Sequence, residues 1–176
     1  MKYLHIFPQD DNNKFSKPFI KFIDENLNYG EHTFVLLKSK SEDMSIKSKN
    51  IYFFPYSLKG TIGFIREAKN CEKVIFHELS QNKYIMLGLI FSPWILKKSY
   101  WCIWGGDLYH YKYRSKTFTS NIKELFRKVA IKNMHGLITQ LKGDYELAQK
   151  WYGAKGKYYY SFMYPSNLYK EYDLKQ

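Results

Sequence analysis

The 176-residue chain predicts an α/β fold: a Rossmann-like, mostly parallel sheet with helices on both faces. Two observations carry this. Short β-type runs such as Lys73–Leu79 and Tyr100–Trp104 are apolar without the alternation of a half-wet strand, so both of their faces are covered. Segments with helical spacing separate these runs, and parallel neighbours need such crossovers.

Taken in order, Lys2–Phe7 reads as a strand, and the polar run 8–13 as a loop. Ser16 suits the start of a helix with Phe19, Ile20, Phe22, Ile23 and Leu27 on one side, ending near Gly30. Thr33–Leu37 is a second strand, and Ser39–Asn50, polar and lysine-rich, a surface loop. Ile51–Phe54 is a third strand, stopped by Pro55, followed by a modest helix over Leu58–Ala68. Lys73–Leu79 is a buried strand, Tyr84–Lys97 a helix and Tyr100–Trp104 another strand. Phe118–Met134 has the clearest amphipathic pattern, with Phe118, Ile122, Leu125 and Val129 at helical spacing. Gly136–Thr139, Asp144–Tyr152 and Lys157–Met163 then read as strand, helix and strand. No internal repeat, heptad array or low-complexity tract interrupts the series.

Composition narrows the function classes. The net charge of +12 is uneven: residues 1–83 hold 13 Lys/Arg against 10 Asp/Glu, and residues 84–176 hold 15 against 6. A basic half attracts nucleic acid, anionic headgroups or phosphorylated substrates. No RNP motif, zinc knuckle or helix-turn-helix signature accompanies the charge, which argues against nucleic acid. Cys71 and Cys102 form neither a disulfide framework nor a zinc spacing, and no Asp-x-Asp or His/Cys cluster implies a metal or other cofactor. The opening residues lack a secretory leader, which places the expected chain in the cytoplasm. The longest apolar run, Tyr84 to Leu96, contains Pro93 and falls short of a membrane span.

The most informative stretch is Trp101–Tyr109, a strand that stops at Gly105-Gly106 and is followed by Asp107 and Tyr109. Glycines let a backbone turn sharply and come close to a ligand, and the carboxyl ends of parallel strands are where α/β sheets open a crevice. His77, Asp10 and the Thr139–Asp144 segment also fall at strand ends on that edge. Asp107 suits a general base or acceptor-orienting group, and equally a turn or helix cap. His77 suits a base or a satisfied internal polar residue. Glu78 points away from His77 in an extended segment and stays outside the site. Thr139, Gly143 and Asp144 either offer free N–H groups at a helix start or simply cap it. Seven cations against one acid, Glu124, fill residues 112–132. Among them Lys112, Arg114, Lys123, Arg127 and Lys128 suit an anionic lipid or diphosphate contact, or else a solvated helix face.

With Trp104-Gly105-Gly106-Asp107-Leu108-Tyr109 as anchor, the chain resembles glycosyltransferase family 56, the TDP-Fuc4NAc:lipid II Fuc4NAc transferases of enterobacterial common antigen synthesis. Phe76-His77, Leu125–Ala130, Gly143-Asp144 and Tyr164-Pro165 follow in the same order. The resemblance implies the amino-terminal, acceptor-side half of a GT-B fold over residues 1–165, with 166–176 a linker or tail. It implies a second domain, absent here, for the nucleotide-sugar donor (a TDP-sugar). It also implies an undecaprenyl-diphosphate-linked saccharide as acceptor, no bound metal, and a peripheral place on the cytoplasmic face of a bacterial inner membrane. Catalytic roles then go to Asp107 and His77, and substrate contacts to Gly105, Gly106, Tyr109, Asp10, Thr139, Gly143 and Asp144. A catalytically inactive domain that binds membrane or a partner transferase is the alternative.

Overall fold

A computed structural model describes residues 1–8, 14–37, 49–79 and 82–161. Seven strands, β1 (Tyr3–Phe7), β2 (His32–Leu37), β3 (Ile51–Phe54), β4 (Lys73–His77), β5 (Ser99–Cys102), β6 (Gly136–Thr139) and β7 (Lys157–Tyr160), form one sheet. Their order is β3-β2-β1-β4-β5-β6-β7, and every pair is parallel. The reversal of direction at β1 and β4 makes the architecture Rossmann-like. Asp10, the end of the last predicted strand beyond Ser161, Tyr164-Pro165 and the 166–176 tail lie outside the described residues.

The apolar runs become strands because helices cover both sides of the sheet around β1 and β2 and one side across the remaining strands. Helix α1 (Ser16–Asn26) brings Ile20 and Ile23 against Phe7, Phe34 and Leu36 on one face. On the other face lie α2 (Leu58–Lys69), α3 (Lys83–Ile90), α4 (Pro93–Leu96), α5 (Gly106–Tyr113), α6 (Phe118–Asn133) and α7 (Lys142–Tyr152). There Leu4, Val35, Val74, Phe76, Trp101 and Leu137 pack with Phe64, Leu89, Leu108, Ile131 and Ala148. Along β1 and β2, residues of alternating parity therefore serve different helices.

Three departures from the sequence pattern have local causes. The single helix expected over Tyr84–Lys97 is two, because Pro93 forces Ser92 out of helical geometry, at ψ 61°. The strand expected to reach Leu79 ends at His77, because Glu78 takes a left-handed backbone with φ 71°. The segment after Gly105 is a full helix, α5, entered through Gly105 at φ 87°. No helix among the described residues is long and apolar enough to cross a membrane.

Candidate functional site

The carboxyl edge of the sheet gathers Glu78 after β4, Gly105-Gly106 after β5, and Gln140 to Asp144 after β6. Asp107 ties two of these turns together. Its Oδ2 accepts from the Leu79 N–H at 3.0 Å and from the Trp101 indole Nε1 at 2.5 Å. Its Oδ1 accepts from the N–H groups of Trp104 at 3.1 Å and Leu108 at 3.0 Å. The residue is 2% exposed. Burial pushes its carboxyl pKa up, while these donors and the Arg127 guanidinium pull the other way.

This geometry corrects the role expected for Asp107. Four donors occupy the carboxylate, and it faces inward, so it positions the turns instead of meeting an acceptor hydroxyl. The cap reading of the sequence is the one the geometry matches.

Arg127 is corrected in the same way. It is 1% exposed, donating from Nη2 to the Asp107 carbonyl at 2.5 Å and from Nη1 to the Tyr152 hydroxyl at 2.7 Å. Its Nη1 lies 3.8 Å from Glu124, also buried, and the guanidinium sits over the Tyr152 ring. Arg127 holds α5, α6 and α7 together and is not on the surface with the lysines.

His77 is internal as well. Its Nε2 is 3.0 Å from His5 Nδ1, and His5 Nε2 is 2.9 Å from His32 Nδ1. The His77 ring stacks on Phe7 at 4.2 Å and meets the edge of Phe19. Burial lowers its pKa from 6.5 to about 3, so the imidazole is neutral. A proton acceptor for substrate has to be reachable, and this one lies beneath α1.

Thr139 is likewise a turn residue: buried, its Oγ1 accepts from the Leu141 N–H at 3.2 Å. Tyr109, Gly143 and Asp144, by contrast, are brought together. The Tyr109 hydroxyl donates to Asp144 Oδ1 at 3.1 Å, joining α5 to the first turn of α7. That hydrogen bond is the first cause that raises the Tyr109 pKa. Beside it opens a hollow of about 640 Å³, lined by Tyr109, Gln140, Leu141, Lys142, Gly143, Asp144 and Lys150 among others. A Cβ on Gly106 or Gly143 would meet no atom within 4 Å, so both glycines face open space.

Of the cations, Lys112, Lys123 and Lys128 are exposed. Arg114 instead bonds Asn121 Oδ1 at 2.7 Å and Ser120 at 3.3 Å, fastening the link between α5 and α6.

Glu78 is the residue that reading the sequence set aside. It is exposed, sits on the same edge, and is the one non-glycine with positive φ among the described residues. Partial burial of its carboxyl and then the nearby Asp107 raise its pKa, against the pull of Arg127. Backbone strain of this kind clusters at functional sites, which makes Glu78 a candidate. The adjacent pair His77-Glu78 at the end of an apolar run was the available signal, but an extended segment would have sent Glu78 away from the edge.

No protein-family model and no curated protein matches the chain. Among solved structures it is similar to a short chain dehydrogenase family protein from Francisella tularensis subsp. tularensis SCHU S4. Identity is 10% over 87% of this chain and 76% of that one, with a TM-score of 0.39.

Proposed function

We propose that the chain is the acceptor-binding domain of a membrane-associated glycosyltransferase of the family 56 type. The reaction would move Fuc4NAc or a related deoxyamino sugar from a TDP-sugar to an undecaprenyl-diphosphate-linked saccharide. The observation that carries this reading is the open carboxyl edge, where the Gly105-Gly106 turn stands next to a hollow walled by the Tyr109–Asp144 hydrogen bond. The Asp144 carboxylate and the Tyr109 hydroxyl whose proton it holds can both accept from sugar hydroxyls, and Lys142 and Lys150 in the same wall suit a diphosphate. With Asp107 and His77 turned inward, Glu78 is an exposed carboxylate among the described residues of this edge, placed to take a proton from an acceptor hydroxyl. The donor sugar nucleotide would be held by a second domain facing the edge.

Binding of a short-prenyl diphosphate saccharide to the full chain, followed by calorimetry, tests the reading. Tyr109→Phe and Asp144→Asn should each weaken binding about tenfold, a loss of one or two hydrogen bonds. Unchanged affinity in both variants, or equal affinity for the sugar-free prenyl diphosphate, would remove the hollow as a saccharide site.

A second reading, a domain that binds acceptor or membrane without catalysing transfer, is favoured by the burial of both Asp107 and His77. Product formation from TDP-sugar and lipid-linked acceptor separates the two. Acceptor binding without product, with a donor-binding domain supplied, favours the second.

A further inference from the structure

The stripe of Phe118, Ile122, Leu125 and Val129, which sequence periodicity marks as the apolar side of α6, points to solvent. Phe118 is 79% exposed, Leu125 58%, and Ile122 and Val129 38% each. At 3.6 residues per turn these four fall within about 60° of arc, along a helix about 24 Å long. The opposite, buried side carries Glu124, Arg127, Ala130 and Ile131. Its charged pair is retained inside because Arg127 is bonded to Tyr152 and to the Asp107 carbonyl. The helix thus turns its ion pair inward and its branched and aromatic residues outward.

We propose that this outer face of α6 seats the protein on an anionic lipid bilayer. The four apolar side chains enter the headgroup–acyl boundary, and the neighbouring lysines hold the headgroups. Lys128 and Lys132 are exposed beside the stripe, within about 90° of its centre, while the helix's one carboxylate, Glu124, is buried. The face therefore carries apolar and positive groups and no negative one, the pattern of a helix lying in a membrane plane. The same pattern argues against a second copy of the chain. Two +12 chains meeting through lysine-ringed stripes would bring like charges together. An anionic bilayer supplies an apolar phase and opposite charge at once. The inference deepens the membrane-facing part of the proposed function and rests on that reading for the bilayer as neighbour.

Sedimentation of the full chain with phosphatidylcholine vesicles, with and without phosphatidylglycerol and free of any lipid-linked saccharide, tests it. Binding should require phosphatidylglycerol. The charge-neutral double variant Leu125→Ser, Val129→Thr should lose at least about tenfold, since two apolar groups are withheld from the bilayer. Lys128→Gln and Lys132→Gln should each lose about fivefold. All these positions are exposed, so thermal melting should be unchanged. Should that variant fold poorly, Leu125→Ala with Val129→Ala takes its place.

Vesicle binding untouched by the apolar substitutions would overturn the inference, leaving plain charge attraction. So would a concentration-dependent dimer, or capture of an acidic protein, that those substitutions abolish while vesicles remain unbound. Loss of vesicle binding with intact affinity for a soluble short-prenyl acceptor would confine the failure to this face. Loss of acceptor affinity alone would touch only the saccharide reading.

Discussion

The indole Nε1 of Trp101 donates to Asp107 Oδ2 at 2.5 Å, joining the last part of β5 to the first turn of α5 across the glycine pair. Both side chains are buried, and the same oxygen also accepts from the Leu79 N–H. One carboxylate therefore sets the turn after β4 and the turn after β5. Asp107→Asn replaces an acceptor oxygen with an amide donor facing these N–H groups. It should destabilise the fold by about 1–3 kcal/mol, the cost of leaving buried donors unpaired. Urea unfolding measures this, and a stability within experimental error of the unchanged chain would refute the positioning role.

The chain His32–His5–His77 makes stability depend on acid. All three imidazoles have pKa values lowered by burial, His77 to about 3. In the unfolded chain they protonate near 6.5, so below that pH the unfolded state binds more protons. The stabilisation is complete above about pH 6.5 and drains as pH falls toward 3. His77 contributes about 1.4 kcal/mol per pH unit over this range, and the lowered pKa values of His5 and His32 add stabilisation of the same sign just below pH 6.5. Replacing the middle ring, His5→Leu, should flatten the slope between pH 6.5 and pH 5 as read by urea midpoints. An unchanged slope would mean that His5 takes its proton in the folded state.

Glu78 separates strain from chemistry. At φ 71° a glycine sits without the Cβ clash, so Glu78→Gly should raise stability by about 0.5–1 kcal/mol after its greater unfolded-state freedom is counted. Glu78→Gln keeps the strained backbone and removes the proton acceptor. Transfer measured with a donor-binding domain present should fall by about 100-fold or more in both variants, with melting temperature up only for glycine. Full transfer by the glutamine variant would show that Glu78 is not the base.

The two glycines of the anchor differ in what they tolerate. Gly105 has φ 87°, so Gly105→Ala should cost about 1–2 kcal/mol in thermal or urea unfolding. Gly106 has ordinary φ and open space where its Cβ would be, so Gly106→Ala should leave stability unchanged. Any loss of saccharide affinity in that variant then reports close approach of the ligand to the backbone.

Much of the sheet was legible because strand signals are local. Ile51–Phe54 and Gly136–Thr139 fall where their apolar residues and flanking breakers put them. The helix over Gly106–Tyr113 was not, since Gly-Asp-Leu-Tyr-His-Tyr-Lys-Tyr has no apolar face of its own; its start depends on the Asp107 network. In the candidate site, Tyr109, Gly143 and Asp144 were named from sequence and stand together. Asp107, His77, Thr139 and Arg127 were named for polarity and turn inward.

The sequence by itself determined the alternation of strand and helix, the parallel sheet it demands, and the edge on which polar groups gather. Only the tertiary structure decided which of those groups meet solvent. Periodicity finds that α6 has an apolar face but is silent on which face is buried. That choice rests on partners distant in sequence: Arg127 turns inward because Tyr152 and the Asp107 carbonyl receive it, and Phe118, Ile122, Leu125 and Val129 are left outside as a result.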